Sequence, residues 1–467
     1  MLIIEKCNIN KMRLPAYFYE KIKKMIADIK DEGIITSNSI PELNRTGFDT
    51  FIVILPSFFY VFFMVFLETY LQTEKFNLFI LESTFVIFPL ILGMTLLSDH
   101  PNFVLFTLVS SSVLFLFYIW KKNNSPIKKI SFDTNFITNT RSTINILSVI
   151  AILAVDFRIF PSRFTKMDTL GYSLMDTGVG LYVFSNGIVS PESRGLNNPV
   201  TKSVRGSLPL FLIGSARFVL TELFHYHVPV SEYGRHWNFF ITLGVTKLVT
   251  SLLLNMFSIE NLYINGTLLL LLDQILLSGG LEKFVFDDFE RDNFFKANKE
   301  GIVSSFGFII LYLYSVYFGF ILDMKNKNQN FFKLLKKFLI ASLICLFFSV
   351  CFQQIFGISR RIANAAYVLW ILFLGIFMTG LFYCLQGIQK VMFIHKNTIF
   401  VPYIYQAVNN NGLVFFLVAN VLTGVINMTI ITSDVEQYTA LTIVVAYMAV
   451  NCSIVALMQS RGLRLKF

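Results

Sequence analysis

Asp156 and Lys166 stand ten residues apart in AVDFRIFPSRFTK, with Pro161 and Arg163 between them and a long apolar run before them. A carboxylate partly withdrawn from water is a stronger base, while a neighbouring ammonium keeps it ionised and can stabilise an oxyanion. A helix end followed by a Pro-containing turn could bring the two to one membrane face. There they could take a proton from a hydroxyl and support its attack on an acyl carbonyl. The same residue types also suit an interfacial Asp and a snorkelling Lys that mark a helix end, and spacing does not choose between the two.

Further ionisable groups lie in or beside apolar sequence, where each needs a partner or a task. Asp176 precedes Gly178 in SLMDTGVGLYVFSNGIVS and could contact a ligand hydroxyl or pair with Lys247 or Arg217. Lys247 and Asp273 each interrupt an apolar block and suggest a structural ion pair. His225, His227 and His236 share one loop with Glu222 and Glu232. HxH is not the HExxH spacing that puts two ligands on one helical face, so no metal site is expected, and contacts to head groups are the simpler account. Asp176, Arg163, Asn186 and His236 are the candidate substrate contacts. DTGVG is not a phosphate loop, and no GxSxG elbow occurs.

The elements that must position these groups are membrane helices. Of the 467 residues, 55% are hydrophobic and 15% charged, against about 25% charged in a soluble domain. A helix needs about 20 residues to cross about 30 Å of hydrocarbon. Twelve blocks meet this, near 51–71, 77–97, 102–120, 143–160, 207–224, 238–257, 262–278, 303–322, 331–352, 365–386, 413–431 and 437–458. A thirteenth, 173–190, carries Asp176, Gly178, Gly180, Asn186 and Gly187, and either crosses as a broken helix or enters and leaves on one side. The fold expected is therefore all-α, a polytopic bundle of about 13 spans with no separate soluble domain, comprising an N-terminal segment 1–50 and a membrane domain 51–467. No interval between spans is long enough to fold as a catalytic domain, so any active site is assembled from helix ends and short loops.

Of the Lys and Arg close to span ends, about 19 fall on the side of the C-terminus and about 11 on the other. That places the N-terminus in the lumen and the C-terminus in the cytosol. The first span serves for targeting, since the first fifty residues hold no early apolar stretch. The net charge of +10 lies in short segments between spans, which excludes nucleic acid as a partner and leaves membrane lipids. Four of the five cysteines lie in apolar blocks and Cys7 near the start, so no disulfide framework follows.

ILAVDFRIFPSRFTKMDTLGYSLMDTGVGLYVFSNGIVS resembles the signature region of the GPI inositol acyltransferases, the family of fungal Gwt1 and animal PIG-W. ITSNSIPELN, RGSLPLFLIGSARF, VSEYGRHWNFFITLG and NGLVFFLVANVLTGVINM are similar to further stretches of that family, in the same order, from about residue 35 to about residue 458. The resemblance implies an endoplasmic-reticulum enzyme that needs no cofactor. It moves a fatty acyl group, typically palmitoyl, from acyl-coenzyme A to the inositol 2-hydroxyl of glucosaminyl-phosphatidylinositol. It also implies that Asp156 and Lys166 are the catalytic pair, and Arg163, Arg194, Lys202 and Arg205 could attract coenzyme A phosphates. The chain departs from the family at Ser162-Arg163, where fungal relatives tend to have two adjacent basic residues, at Asp168, where glutamate is common, and at Pro41. Competing readings are a lipid flippase or secondary transporter, and a non-catalytic subunit of a lipid-processing complex.

Overall fold

The computed structural model describes residues 39–71, 74–122, 134–196, 200–224, 229–287, 290–325, 331–392 and 399–465. Cys7, His225, His227 and the N-terminal segment up to residue 38 lie outside them. The chain divides into residues 1–46, in which a helix begins at Ser39, and residues 47–467, which hold the bundle.

Among the described residues, twelve helices of the bundle are long and apolar enough to cross a membrane. They are α1 Gly47–Glu68, α2 Lys75–Met94, α3 Pro101–Tyr118, α4 Asn135–Ala154, α6 Val200–Leu223, α7 Phe239–Met256, α8 Ile259–Phe286, α9 Lys299–Leu322, α10 Phe331–Phe356, α11 Ala365–Val391, α13 Gly412–Thr429 and α14 Gln437–Ser460. Two shorter helices of eight residues or more lie between them, α5 Leu174–Gly187 and α12 Tyr403–Asn410, and a single turn, Phe294–Ala297, precedes α9. Among the described residues there is no strand beyond one isolated bridge, Gly171 with Ser359. The protein is an all-α polytopic bundle.

α4 and α11 are the most enclosed spans, with α5 packed between them and α9. Enclosure explains why α4 begins at Asn135 rather than near 143. Its first turns carry Asn139, Thr140, Ser142, Thr143 and Asn145, all buried against protein instead of lipid. Part of this polar surface is tied to neighbouring elements: Ser142 donates to the Tyr405 carbonyl over 2.6 Å, and Arg141 to the Ser185 carbonyl over 3.1 Å. At the other end α4 stops at Ala154 rather than 160, and Phe157, Ile159, Phe160 and Phe164 bury their side chains in the turn that follows. Asp156 thus stands just beyond a span, on a loop whose aromatic anchors hold it against the bundle.

The thirteenth segment is legible in the same way. At about 1.5 Å per residue, α5 reaches about 21 Å, short of the hydrocarbon thickness. Its start nevertheless lies at one face, where Asp176 meets Arg360 at the entry to α11. Its end lies toward the other face. Ser185 meets Arg141 near the start of α4, and Ile188 and Ser193 pack against Gly319 near the end of α9. The segment therefore traverses the bundle, wrapped by protein that satisfies its ends. The bundle's first span begins and its last span ends on opposite faces.

Candidate active site

One face gathers the turns after α2, α4, α6, α10 and α13. Asp156 points its Oδ2 at Asn427 of α13, whose Nδ2 donates over 2.8 Å. Lys166 does not pair with Asp156. Its Nζ donates to both carboxylate oxygens of Glu232, each at 2.8 Å, across the α6–α7 loop. The two residues still share one site: Asp156, Lys166 and Glu232 all line a cavity of about 1130 Å³, and Lys166 is close enough for its charge to act on the Asp156 carboxyl.

The electrostatics follow from burial and charge. Burial pushes the Asp156 pKa above the usual carboxylate value, and the Asn427 hydrogen bond and the Lys166 charge offset this only in part. Burial also works against ionised Glu232, but Lys166, Arg360 and Arg217 outweigh it and hold its pKa below the ordinary value. One carboxyl is therefore a strengthened base, and the other a fixed anion that orients an ammonium.

Beyond the polar end the cavity is apolar. Ile144, Leu147, Val179, Phe240 and Phe416 line it among others. Along α13 alone the lining runs from Phe416 to Met428, about 18 Å of helix. Such a chamber suits an acyl chain, each methylene of which gains about 0.8 kcal/mol on leaving water.

The loop carrying Lys166 is clamped by two arginines between α10 and α11. Arg360 Nε meets Asp176 Oδ1 at 2.8 Å, with both side chains buried. Asp176 Oδ2 accepts from the Met167 amide at 3.1 Å and from Ser173, whose hydroxyl caps α5 in return. Arg361 donates to the Asp168 carbonyl at 3.0 Å and pairs with buried Glu300 at 3.1 Å, where Arg291 pairs as well. The Gly171 amide donates to the Ile358 carbonyl over 2.7 Å at φ +141, a conformation a residue with a Cβ reaches only under strain. Because breaking a buried pair leaves an uncompensated charge, Arg360→Met should lower stability by about 3–5 kcal/mol. Thermal unfolding of the solubilised protein measures this, and adding Asp176→Asn to that variant should return part of the loss.

The four candidate substrate contacts all lie outside the cavity lining. The Asp176 carboxylate is already occupied by Arg360, Met167 and Ser173, so its partner is neither Lys247 nor Arg217. Arg163 donates to the Ser98 carbonyl at 2.6 Å and to Asp99 at 3.1 Å, tying its loop to the α2–α3 turn. Asn186 donates to the Tyr182 carbonyl within α5, toward the opposite face. The His236 amide donates to Asn298 Oδ1 over 2.8 Å, and its ring meets Asn298 Nδ2 and the Phe218 and Phe294 rings. Lys247 and Asp273 do not pair either: Lys247 donates to the Gly206 carbonyl at 3.0 Å. Arg194, Lys202 and Arg205 belong to the α5–α6 connection and the first turns of α6, away from Asp156.

Sequence reasoning missed Asn427, Arg360, Arg361 and Glu300, took Arg217 only as a possible partner of Asp176, and took Glu232 only as a companion of the histidines. The adjacent arginines of ISRRIANAAY were the available signal, since two guanidinium groups between apolar blocks need anions.

The GWT1 family model matches residues 43–458, which takes in the loop of Asp156 and Lys166 and all the spans but the last two residues of α14. The chain belongs to the GWT1 family. It is similar to the phosphatidylinositol-glycan biosynthesis class W protein of Dictyostelium discoideum, with 30% identity over 90% of this chain and 96% of the relative. The GPI-anchored wall transfer protein 1 of Schizosaccharomyces pombe is 33% identical over 74% of this chain and 76% of its own, and that of Yarrowia lipolytica 31% over 74% and 77%. As a GWT1 family member the chain spans about three quarters or more of the length of these relatives.

Proposed function

We propose that this protein is the acyltransferase that moves a fatty acyl group, typically palmitoyl, from acyl-coenzyme A to the inositol 2-hydroxyl of glucosaminyl-phosphatidylinositol. Membership of the GWT1 family, with relatives named for GPI-anchored wall transfer and phosphatidylinositol-glycan biosynthesis, supports work in GPI-anchor biosynthesis as a membrane-bound transferase. The observation that carries the finer reading is a raised-pKa carboxylate and a carboxylate-oriented ammonium at the polar end of an apolar chamber.

An inositol hydroxyl is a poor nucleophile near neutral pH. Asp156 takes its proton as the oxygen bonds to the thioester carbonyl, and Lys166 stabilises the resulting oxyanion. Collapse of the tetrahedral species breaks the carbon–sulfur bond, and the proton held by Asp156 passes to the departing thiolate. Atoms balance without a cofactor. The protein sits in the endoplasmic-reticulum membrane with the Asp156 face toward the lumen, a sidedness supported by the excess of Lys and Arg near span ends on the opposite face.

Purified protein given labelled palmitoyl-coenzyme A and glucosaminyl-phosphatidylinositol should form an alkali-sensitive ester on the inositol ring. Folded protein that moves the lipid across a bilayer and forms no ester would instead be a flippase. The rate should also fall as pH drops through the Asp156 pKa. Because burial raises that pKa, the acidic limb should lie above the ordinary value of about 3.9. A profile flat down to pH 4 would remove Asp156 as the base.

A further inference from the structure

We infer that Arg217 is the receptor for a phosphate ester anion, placed at a side opening of the cavity between α6 and α13. This deepens the proposed acyl transfer and rests on it for the identity of the substrates, though not for the existence of the anion site.

The opening follows from packing. α6 lies along α7, while α13 lies along α4 and α14, and the cavity occupies the space between α6 and α13. Leu220 and Phe224 on one side, and Val421, Val425 and Met428 on the other, line the cavity yet are each more than half exposed. A side chain that is both cavity wall and outer surface marks a place where the wall is one residue thick or parted. On membrane helices that outer surface is lipid, so a lipid can pass its chains into the chamber without entering water.

Arg217 stands in the same stretch of α6, one turn before Leu220 and Thr221, and lines the cavity. Five other cations of this face are committed, Lys166 to Glu232, Arg163 to Asp99, Arg360 to Asp176, and Arg361 and Arg291 to Glu300, while the exposed Arg235 of the α6–α7 loop lies outside the cavity lining. Among the described residues the Arg217 guanidinium makes no hydrogen bond or ion pair, and its charge is felt only at a distance by Glu232 and Tyr233. A guanidinium in an apolar wall is expensive to leave alone, and its planar fork matches phosphate oxygens in pairs. The ligand class that fits both the fork and the apolar surroundings is a phosphate ester carrying long acyl chains.

Two sources share that chemistry, the phosphodiester of an inositol lipid and the phosphates of an acyl-coenzyme A. Binding to purified wild type, Arg217→Gln and Arg217→Lys is measured without turnover, using fluorescent phosphatidylinositol in one arm and a palmitoyl-coenzyme A thioether in the other. Arg217→Gln should weaken binding of phosphatidylinositol by about tenfold or more, as loss of a charge-assisted bidentate contact requires. Arg217→Lys, which keeps the charge and with it the fold, should recover only part of this. Weakening confined to the thioether would keep the anion receptor and assign it to the donor. Binding of both probes within twofold of wild type in both variants would overturn the inference. A wild type that binds phosphatidylinositol through Arg217 yet forms no inositol ester would overturn the acyl-transfer reading and leave this one standing.

Discussion

Asp156→Asn should lower the rate of acyl transfer by about a thousandfold, within the range of about 10² to 10⁴ expected for loss of a general base, while the thermal midpoint holds or rises. The two effects have one origin. Burial raises the Asp156 pKa in the folded protein above its unfolded value, so in the window between those values the folded state binds more protons. Stability therefore falls as pH rises through that window, and at neutral pH the ionised carboxylate costs stability that a neutral amide does not. Asparagine is nearly isosteric, and its side-chain oxygen can still accept from Asn427 Nδ2. A catalytic carboxylate kept ionised against its surroundings leaves this signature: activity lost and stability kept. A structural residue gives the reverse: removing it lowers the midpoint, and activity falls only as the folded fraction does. Unfolding scans and single-turnover rates on the same purified variant separate the cases, and a lower midpoint with a normal rate per folded molecule would refute the assignment.

How much of this arrangement can be read from the chain alone depends on which solvent a residue faces. α3 and α10 are largely exposed, and their apolar runs mark their position with little error. α4 is enclosed by protein, so its opening turn carries Asn139, Thr140, Ser142 and Thr143, which read as loop on any scale that measures preference for lipid. α5 shows the same difficulty more strongly, with Asp176 satisfied by Arg360 from a position almost two hundred residues later in the chain. Turn residues in Pro-containing loops point wherever the fold sends them. Asp156 and Lys166 are thus recognisable as a polar cluster, while the partners that define their states, Asn427 and Glu232, arrive through tertiary contact and leave no local trace.

The pairing of Lys166 with Glu232 yields the second large effect. Lys166→Met should cost about 10² to 10³ in rate, the magnitude that follows removal of one donor aimed at an oxyanion. Glu232→Gln should cost less, because the ammonium remains but loses the anion that holds both its direction and its place. Since Lys166, Arg360 and Arg217 hold the Glu232 pKa low, its contribution to stability is present above the unfolded carboxylate value and is lost only as pH falls through the lower, folded one. At neutral pH, Glu232→Gln therefore removes a stabilising group, and the midpoint should drop, in contrast to Asp156→Asn. The decisive comparison is the double variant. If Glu232 acts only through Lys166, then once Lys166 is methionine, changing Glu232 to glutamine should alter the rate by no more than about twofold, a strongly non-additive result for two groups in direct contact. Additive losses would mean instead that Glu232 meets the substrate by itself, and the ammonium would then have to be held by some other anion during the reaction.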